Sequence, residues 1–401
     1  MEKIIDADVN INLPQYVRVL MNRLESAGEE VYLVGGSLRD MLLGDIPHDF
    51  DLATSASPER TAELFCDMRV IKTGLKHGTV TVISDGEPVE ITTFRIDGAY
   101  TDTRHPDSVT FTKNIREDLS RRDFTVNAMA YSQGSGVIDP FGGKDDLARR
   151  ILRAVGDPAK RFCEDALRIM RAFRFSAQLD FFIEPKTLSA AAECKGGLEH
   201  IARERIASEF LRLLMAEAPA SAIREMRRAG VLPYVTEEYC PSDAILDALA
   251  HSPKNDIARL GLFFAEADEA AARDILRGLK YSNKQITGAC AVSRCSAQTV
   301  CSEQDARRLR AMCGVYAPLA AAVSELLGVS PLGAYALVER SQSSPCTLSD
   351  LAIGGRELLE IGIFGKDIGG VLENLLRRVI EDPSLNEKDT LIMLAKRHMG
   401  M

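Results

Sequence analysis

A short charged segment, Arg161–Arg171 (RFCEDALRIMR), carries the groups needed to read the edge of a nucleobase. It follows Asp157-Pro158, a typical helix start with an acceptor at the N-cap and a proline at the first position. A helix through the segment would place Asp165 one turn before Arg168. The pattern therefore predicts a carboxylate and a guanidinium that neighbour each other on one surface.

Such a pair matches two of the four bases. Cytosine and adenine each present an amino donor beside a ring-nitrogen acceptor, whereas uracil and guanine present the reverse. The carboxylate of Asp165 can accept and the guanidinium of Arg168 can donate, with Glu164 and Arg171 on the same helical face. A site of this kind discriminates by roughly 10⁴-fold or more. The alternative is a solvated helix face with ion pairs between residues four apart.

A second set of residues suits metal-assisted chemistry on phosphates. Asp49 and Asp51 are two residues apart in a predicted strand, Asp49–Ala53, so both carboxylates would project from one face. Carboxylate oxygens are ligands that Mg²⁺ prefers, and Glu90 on a later strand could supply a third. Alone, such a pair is also common in surface loops. We predict a Mg²⁺ site at Asp49 and Asp51.

A predicted phosphate site precedes these carboxylates. The apolar strand Val31–Val34 runs into Gly35 and Gly36, and a helix follows. Glycines let backbone amides approach a phosphate closely, the helix start is electropositive, and Arg39 adds donors. Arg122, in a predicted helix further along, adds positive charge suited to a triphosphate. A plain strand-to-helix turn is the alternative for the glycines.

The pattern of elements predicts an α+β protein. The first third alternates strands and helices, with a hairpin at Asp85-Gly86 between strands 78–83 and 89–95. Residues 115–131 have helical spacing. From about residue 150 the chain is predicted to be almost wholly helical.

Composition narrows the class of protein. The 401 residues are 46% hydrophobic, enough for several packed units, and the net charge of −9 argues against indiscriminate nucleic-acid binding. The nine cysteines are scattered without CxxC spacing, so neither a disulfide framework nor a zinc site is expected. No run of about 18 apolar residues and no signal-peptide pattern occurs. We expect a cytoplasmic protein without a membrane span.

The motifs together resemble a known family. Gly35–Asp40 followed by Asp49–Asp51 resembles the opening signature of the polymerase β-like nucleotidyltransferases. Arg121–Met129 and Glu164–Arg171 resemble motifs of the class II tRNA nucleotidyltransferases, the CCA-adding enzymes, and of the related bacterial poly(A) polymerases. These motifs cover about residues 31–175, and Met226–Pro233 looks like a body-domain segment of the same family.

The resemblance implies an arrangement of domains. It implies a polymerase β-like catalytic head with a small mixed sheet over residues 1–148. A helical neck with the nucleobase-recognition helix would cover 149–215. A helical body over 216–310 and a helical, tRNA-binding tail over 311–401 would complete a seahorse-like molecule.

The resemblance also implies roles for individual residues. It assigns metal binding to Asp49 and Asp51, with Glu90 as a third catalytic carboxylate. The residues implied to bind the nucleotide are Gly35, Gly36, Arg39 and Arg122 near the triphosphate, Asp165 and Arg168 at the base, and Arg171 and Arg174 in support of that base site.

The implied activity is template-independent addition of C, C and A to the 3′ end of tRNA, from CTP and ATP, with release of pyrophosphate. The tRNA would be held through its acceptor stem and elbow. Asp97–Pro106 resembles the flexible loop of enzymes that add the final A, with His105 where the family often has arginine. Enzymes that add only A or only CC, and bacterial poly(A) polymerases, are the alternatives. A small-molecule adenylyltransferase would not need the Glu164–Arg171 segment.

Overall fold

The computed structural model describes residues 11–75, 78–98 and 109–400. The chain divides into two compact units, with bounds Met1–Val235 and Thr236–Met401. A mixed sheet and helices form the first unit, whereas the described residues of the second form only helices. The predicted α+β class is confirmed. Among the described residues, no helix combines the length and the apolar character needed to cross a membrane.

The first unit carries all the strands of the described chain. Its elements are α1 (Gln15–Ser26), β1 (Val31–Val34), α2 (Gly35–Leu42), β2 (Phe50–Thr54), α3 (Pro58–Leu64), β3 (Arg69–Ile71), β4 (Thr79–Ser84), β5 (Glu87–Thr93), β6 (Arg95–Asp97), β7 (Val109–Phe111), α4 (Ile115–Ser120), β8 (Ala130–Ser132), β9 (Gly136–Ile138), α5 (Gly143–Ala148), β10 (Ile151–Leu152), α6 (Pro158–Glu164), α7 (Leu167–Leu179), β11 (Phe182–Ile183), α8 (Pro185–Cys194), α9 (Arg203–Leu214), α10 (Pro219–Arg228) and α11 (Pro233–Thr236), the last running into the second unit.

The second unit contains ten further α-helices in its described residues. They are α12 (Asp243–His251), α13 (Asp256–Phe263), α14 (Glu269–Gly278), α15 (Asn283–Cys295), α16 (Glu303–Cys313), α17 (Ala317–Leu326), α18 (Ala334–Arg340), α19 (Gly355–Glu360), α20 (Asp367–Glu381) and α21 (Lys388–His398).

Seven strands form the main sheet, in the order β3-β4-β5-β2-β1-β8-β9. β2 and β5 are parallel, and the other neighbours are antiparallel. The register places Val34 opposite Asp51, and Asp51 opposite Glu90. The last residue of β1 therefore lies in one row with two carboxylates, and the chain enters α2 directly from that row.

Local sequence signals account for much of this unit. β4 and β5 form the predicted hairpin, and its turn residues Asp85 and Gly86 both have positive φ, 51° and 86°, as a type I′ turn requires. The sheet packs through buried side chains that include Tyr32, Val34 and Phe94, against α4 residues such as Leu119. These apolar contacts fix the sheet on which the carboxylates stand.

The helix predicted over residues 115–131 was wrong. Residues 115–131 do not form one helix, because α4 ends at Ser120 and the next residues pair with the segment 153–155 instead. Thr125 donates its N–H to the carbonyl of Arg153 at 2.9 Å, and Val155 donates to that of Asp123 at 3.0 Å. Beyond residue 150 the described chain is almost wholly helical, as predicted, apart from the short pair of β10 with β11. Two-residue strands are too short to show an alternating pattern.

Helices carry the remainder of each unit. In the first, α7 packs against α9 and α10, and α6 packs against α8. In the second, α13 packs against α15, with Gly261 at the contact. A Cβ placed on Gly261 would lie 2.6 Å from Cβ of Val292, so the two helices approach each other more closely than an alanine allows.

Gly261→Ala is expected to lower the free energy of unfolding by about 1–3 kcal/mol, the usual cost of overpacking a core. Urea unfolding of the full chain, followed by circular dichroism, measures this. The matched control is Gly278→Ala in α14, where an added Cβ meets nothing within 4 Å. That change should stabilise by up to about 1 kcal/mol through helix propensity. Equal midpoints for the two variants would contradict the close contact.

Candidate functional site

Asp51, in the row formed by β1, β2 and β5, is affected by the negative charges of Glu90 and Asp49. Asp51 is half-buried on β2, while Asp49 and Glu90 are exposed. Burial raises the pKa of Asp51, as do the negative charges of Glu90 and Asp49, whereas Arg122 acts in the opposite direction. Asp49 lies in the bend before β2 rather than in the strand itself, because β2 begins at Phe50. The row therefore concentrates negative charge at Asp51.

A hard divalent cation fits this arrangement. The donors are carboxylate oxygens, and a cation would relieve the repulsion that raises the pKa of Asp51. Over the described ranges, no group of three or more His, Cys, Asp or Glu side chains is arranged as a complete metal site. The rest of a coordination shell would come from water and substrate phosphate oxygens.

The start of α2 lies against these carboxylates. Gly35 has φ +71°, and a Cβ there would lie 3.2 Å from Nη1 of Arg122 and 3.7 Å from Oδ2 of Asp51. The hydroxyl of Ser37 donates to the carbonyl of Val34 at 2.9 Å and stabilises the turn from strand to helix. The first N–H groups of a helix have no partners within it, so they are available to an anion.

Asp118 on α4 holds two arginines at this anion site. Its carboxylate accepts from Nη2 of Arg121 at 2.8 Å and from Nη2 of Arg122 at 3.3 Å. Burial opposes the charge on Asp118, but the two guanidiniums outweigh burial and lower its pKa. Nε of Arg122 is buried without a hydrogen-bond partner in the described chain. Arg122 is thus fixed in place and keeps donor capacity.

Arg39, predicted to lie near the triphosphate, has hydrogen-bond partners within the described chain. It is 8% exposed, and its Nη1 donates to Oδ1 of Asn127 at 2.7 Å. Its Nε donates to Oδ1 of Asp40 at 2.8 Å. The guanidinium also lies 3.4 Å from the position that a Cβ on Gly36 would occupy. In this structure the Arg39 side chain links α2 to the segment that carries Asn127.

The predicted continuous helix after Pro158 is wrong, because α6 ends at Glu164 and α7 begins at Leu167. Asp165 between them is extended, with φ −143° and ψ 103°. Its Oδ1 accepts the N–H of Leu167 at 3.0 Å. Aspartate competes with helical hydrogen bonds in this way and favours the start of a helix over its interior.

Asp165 and Arg168 are held by separate partners. Oδ2 of Asp165 accepts from Nη2 of Arg205 at 3.3 Å. Nη1 of Arg168 donates to Oε2 of Glu164 at 2.8 Å, and its Nη2 donates to the carbonyl of Arg121 at 3.2 Å. An acceptor and a donor group are therefore each fixed at the junction of α6 and α7.

Asp123 and Arg171 connect the anion site to α7. Nε of Arg171 donates to Oδ2 of Asp123 at 2.8 Å, and Nδ2 of Asn127 donates to Oδ1 at 3.3 Å. Burial acts against the charged carboxylate, but Arg171 and Asn127 lower the pKa of Asp123 to about 2. The loop that carries Arg122 is thus bonded to the helix that carries Arg168.

Three guanidiniums lie around the ring of Phe175 on α7. Arg174 lies 3.9 Å from the ring centroid, and Arg39 and Arg171 each lie 5.3 Å from it. Phe124 packs on it edge to face at 5.8 Å. Cation–π contacts of this kind are strongest away from water. Arg174, predicted to support the base site, is therefore part of the same cluster.

Sequence reasoning missed three residues of this site. They are Phe175, Arg205 and Glu209. Glu209 is buried and accepts from Nε of Arg174, while Arg205 holds Asp165. Arg205 and Glu209 are four apart on α9, and a buried glutamate in an amphipathic helix is the signal that could have indicated them.

The predicted flexible loop, Asp97–Pro106, lies largely outside the described residues, and so does His105.

Three family models match this chain. The Poly A polymerase head domain matches residues 31–153. The model described as "Probable RNA and SrmB- binding site of polymerase A" matches 180–242. The tRNA nucleotidyltransferase domain 2 model matches 255–395.

Curated relatives match almost the whole chain. The CCA-adding enzyme of Levilactobacillus brevis is 36% identical over 94% of this chain and 96% of its own length. That of Limosilactobacillus fermentum is 38% identical over 94% of this chain and 95% of its own. The crystal structure of Bacillus stearothermophilus CCA-adding enzyme in complex with CTP is 33% identical, with a TM-score of 0.82 over 96% of this chain and 98% of that one. Thermotoga maritima CCA-adding enzyme complexed with tRNA, at 22% identity and a TM-score of 0.69, shares the fold.

Asp123→Asn is expected to lower the free energy of unfolding at neutral pH by about 3 kcal/mol, the low end for breaking a buried ion pair. The low end applies because the Arg171 side chain is 34% exposed and water can partly solvate its charge. The pKa of Asp123 in the folded protein is about 2, below the ordinary 3.8. Its contribution is therefore present above about pH 4 and is lost as the pH falls through about 2.

Urea unfolding of the wild type and of Asp123→Asn, from neutral to acid pH, measures this contribution. The difference between their free energies of unfolding should become smaller at low pH. Asp180→Asn is the control, because the Arg150–Asp180 pair is 59% and 60% exposed. An exposed pair contributes about 0–1 kcal/mol. A difference between wild type and Asp123→Asn that does not change with pH would contradict the buried pair.

Proposed function

This chain belongs to the family of CCA-adding enzymes, and from that premise we propose that it adds C, C and A to the 3′ end of tRNA. It uses CTP and ATP, needs no nucleic-acid template and releases pyrophosphate. The observation that carries the proposal is the Asp123–Arg171 ion pair, which joins a carboxylate and anion site to a base-reading junction.

Enzymes of this family use a divalent metal, and we propose Mg²⁺ held by Asp49 and Asp51. Bound there, Mg²⁺ would stabilise negative charge on the attacking and leaving oxygens. Glu90 adds to the negative charge that attracts a cation to Asp51. The N–H groups at Gly35 and Gly36 and the guanidinium of Arg122 bind the triphosphate and keep the α-phosphate in line with the tRNA 3′-hydroxyl.

Nucleotide choice follows from the junction of α6 and α7. Asp165 accepts from the amino group of cytosine or adenine, and Arg168 donates to the adjacent ring nitrogen. Glu164 holds Arg168, and Arg205 holds Asp165, so neither group can turn to suit uracil or guanine. A mismatched base would leave these polar groups unpaired and desolvated, which is where strong discrimination arises.

The substrate RNA is recognised largely by shape. We propose that the head covers residues 1–148, the neck 149–215, the body 216–310 and the tail 311–401. The body and tail would hold the acceptor stem and elbow through backbone contacts, as is usual for double-stranded RNA. The Thermotoga maritima CCA-adding enzyme, which shares the fold, is known in complex with tRNA.

Addition of all three nucleotides is favoured over partial addition. The curated relatives from Levilactobacillus brevis, Limosilactobacillus fermentum and Enterococcus faecalis are all named CCA-adding enzymes. The head domain is shared with poly(A) polymerases. An assay must therefore distinguish CCA addition from the synthesis of A-tails. All nine cysteines are free thiols, which supports a reducing, cytoplasmic setting.

The assay uses tRNA transcripts that end before CCA, after C and after CC, with each labelled nucleoside triphosphate in turn. The wild type should add C, C and A and then stop, whereas long A-tails would identify a poly(A) polymerase. Asp51→Ala should reduce transfer of every nucleotide by about 10³-fold or more, because the charge that holds the cation is lost. Asp67→Ala is the control, since this exposed carboxylate pairs with Arg23 on the surface. Full activity of Asp51→Ala would contradict the carboxylate site.

Asp165→Ala should relax nucleotide choice. The ratio of C to U incorporation is expected to fall by at least about 10-fold, because the acceptor for the amino group is gone. Asp165 also caps α7, so a matched control must lose a cap without touching the base. Asp157→Ala meets this need, since Oδ1 of Asp157 accepts the N–H of Ala159 at 3.0 Å at the start of α6. Equal C to U ratios in all three proteins would contradict the assignment of Asp165.

A further inference from the structure

Two thiols lie close together beside the base-reading junction. Cys163 is on α6, directly before Glu164, and Cys194 is the last residue of α8. Their sulfur atoms are 4.0 Å apart. Cys163 is exposed and Cys194 is half-buried. The Cys194 thiol also approaches the carbonyl of Ala159 on α6 at 3.9 Å. The packing of α6 on α8 therefore brings the two sulfurs close to the reach of a covalent bond.

We propose that Cys163 and Cys194 form a thiol–disulfide modification site that closes when the protein meets hydrogen peroxide. In the first step the Cys163 sulfur attacks one peroxide oxygen, the O–O bond breaks, and Cys163 becomes a sulfenic acid as one water leaves. In the second step the Cys194 sulfur attacks the Cys163 sulfur, a second water leaves, and the S–S bond forms. Two thiols are oxidised and one peroxide is reduced to two waters.

The two cysteines differ in a way that suits this order of events. Peroxide reaches an exposed sulfur first, and Cys163 is the exposed one. Burial and the neighbouring Cys163 raise the pKa of Cys194 to about 11. Cys194 is therefore the slower of the two to react with peroxide, and it attacks as the thiolate once Cys163 has been oxidised, its proton leaving with the hydroxide as water.

Other cysteines of this chain serve as internal comparisons. Cys66 is exposed on the first unit, so peroxide can reach it. Cys295 and Cys313 in the second unit hydrogen-bond to each other. They are only 0% and 7% exposed, within one hydrophobic core cluster. A close pair that is buried should react far more slowly than a close pair with one exposed member.

Closing the bond draws α6 and α8 together wherever rotation of the two cysteine side chains does not supply the whole approach. A disulfide requires sulfurs about 2 Å apart, so the two must approach by roughly 2 Å. Glu164, the next residue, holds Arg168 through a 2.8 Å hydrogen bond and Arg161 through another of 2.8 Å. A shift of α6 by more than about 0.4 Å would lengthen these bonds past 3.2 Å, where the hydrogen-bonding range ends. This expectation rests on the proposed function: the oxidised form should position CTP and ATP poorly.

The experiment treats the full-length, reduced protein with hydrogen peroxide and removes the excess. A peptide map without reductant should show Cys163 joined to Cys194. C and A incorporation should fall by roughly 10-fold or more, as expected for a displacement of about 1 Å or more near the base, and dithiothreitol should restore it. Cys163→Ser and Cys194→Ser cannot form the bond, so their C and A incorporation should be unchanged by peroxide. Incorporation by Cys66→Ser should fall as that of the wild type does.

The peptide map stands apart from the activity, so the site is tested even if the protein transfers no nucleotide. A map with Cys163 oxidised singly, or with a bond between Cys295 and Cys313 instead, would overturn the site. A Cys163–Cys194 bond with unchanged incorporation would overturn its effect on the reaction. Equal loss of activity in Cys163→Ser after peroxide would do the same.

Discussion

Asp123 and Arg171 are 48 residues apart in the chain, and the rest of the site depends on their contact. A carboxylate buried as deeply as Asp123 cannot be left without a partner, since an unpaired charge in the interior costs several kcal/mol. The guanidinium of Arg171 meets this need and lowers the pKa of Asp123 to about 2. Because the pair stays charged over the physiological range, the loop after α4 and helix α7 remain joined. The ring of Phe175 adds a second connection, since it contacts guanidiniums from both α2 and α7.

This connection matters because the two ends of a nucleotide need opposite surroundings. Near β2, Asp51 and its neighbouring carboxylates suit a cation, while Gly35 and Arg122 a few ångströms away suit the phosphates. Asp118 keeps the positive side in place by holding Arg121 and Arg122 together, which would otherwise repel each other. The base end, by contrast, contains one acceptor and one donor in a partly buried junction. In the proposed function, the contacts between these regions would set the distance between triphosphate and base before a nucleotide binds.

The break between α6 and α7 gives the base end its geometry. In the extended conformation seen here, Asp165 uses one oxygen to start α7, and Arg205 contacts the other. The same break leaves α6 as a separate short helix that rests on α8, which is how Cys163 comes to lie beside Cys194. The backbone conformation of one residue, Asp165, thus places both the residues proposed to recognise the base and the thiol pair.

The sequence alone determined the α+β class, the strand β1 followed by glycines, the hairpin at Asp85-Gly86 and the residue types of the site. These features depend on local periodicity, on turn residues with positive φ and on motifs in which neighbouring side chains do the chemistry. Tertiary structure decided what local rules cannot: that Asp123 leaves the helical pattern to pair with Arg171, that Asp165 interrupts a helix, and that Arg39 turns towards Asn127. It also brought Phe175, Arg205 and Glu209 into the site. The physical reason is that a buried charge pairs with an opposite charge from whichever segment the fold places beside it. Hydrogen bonds between residues far apart in the sequence then outweigh the preference of any single residue for a helix.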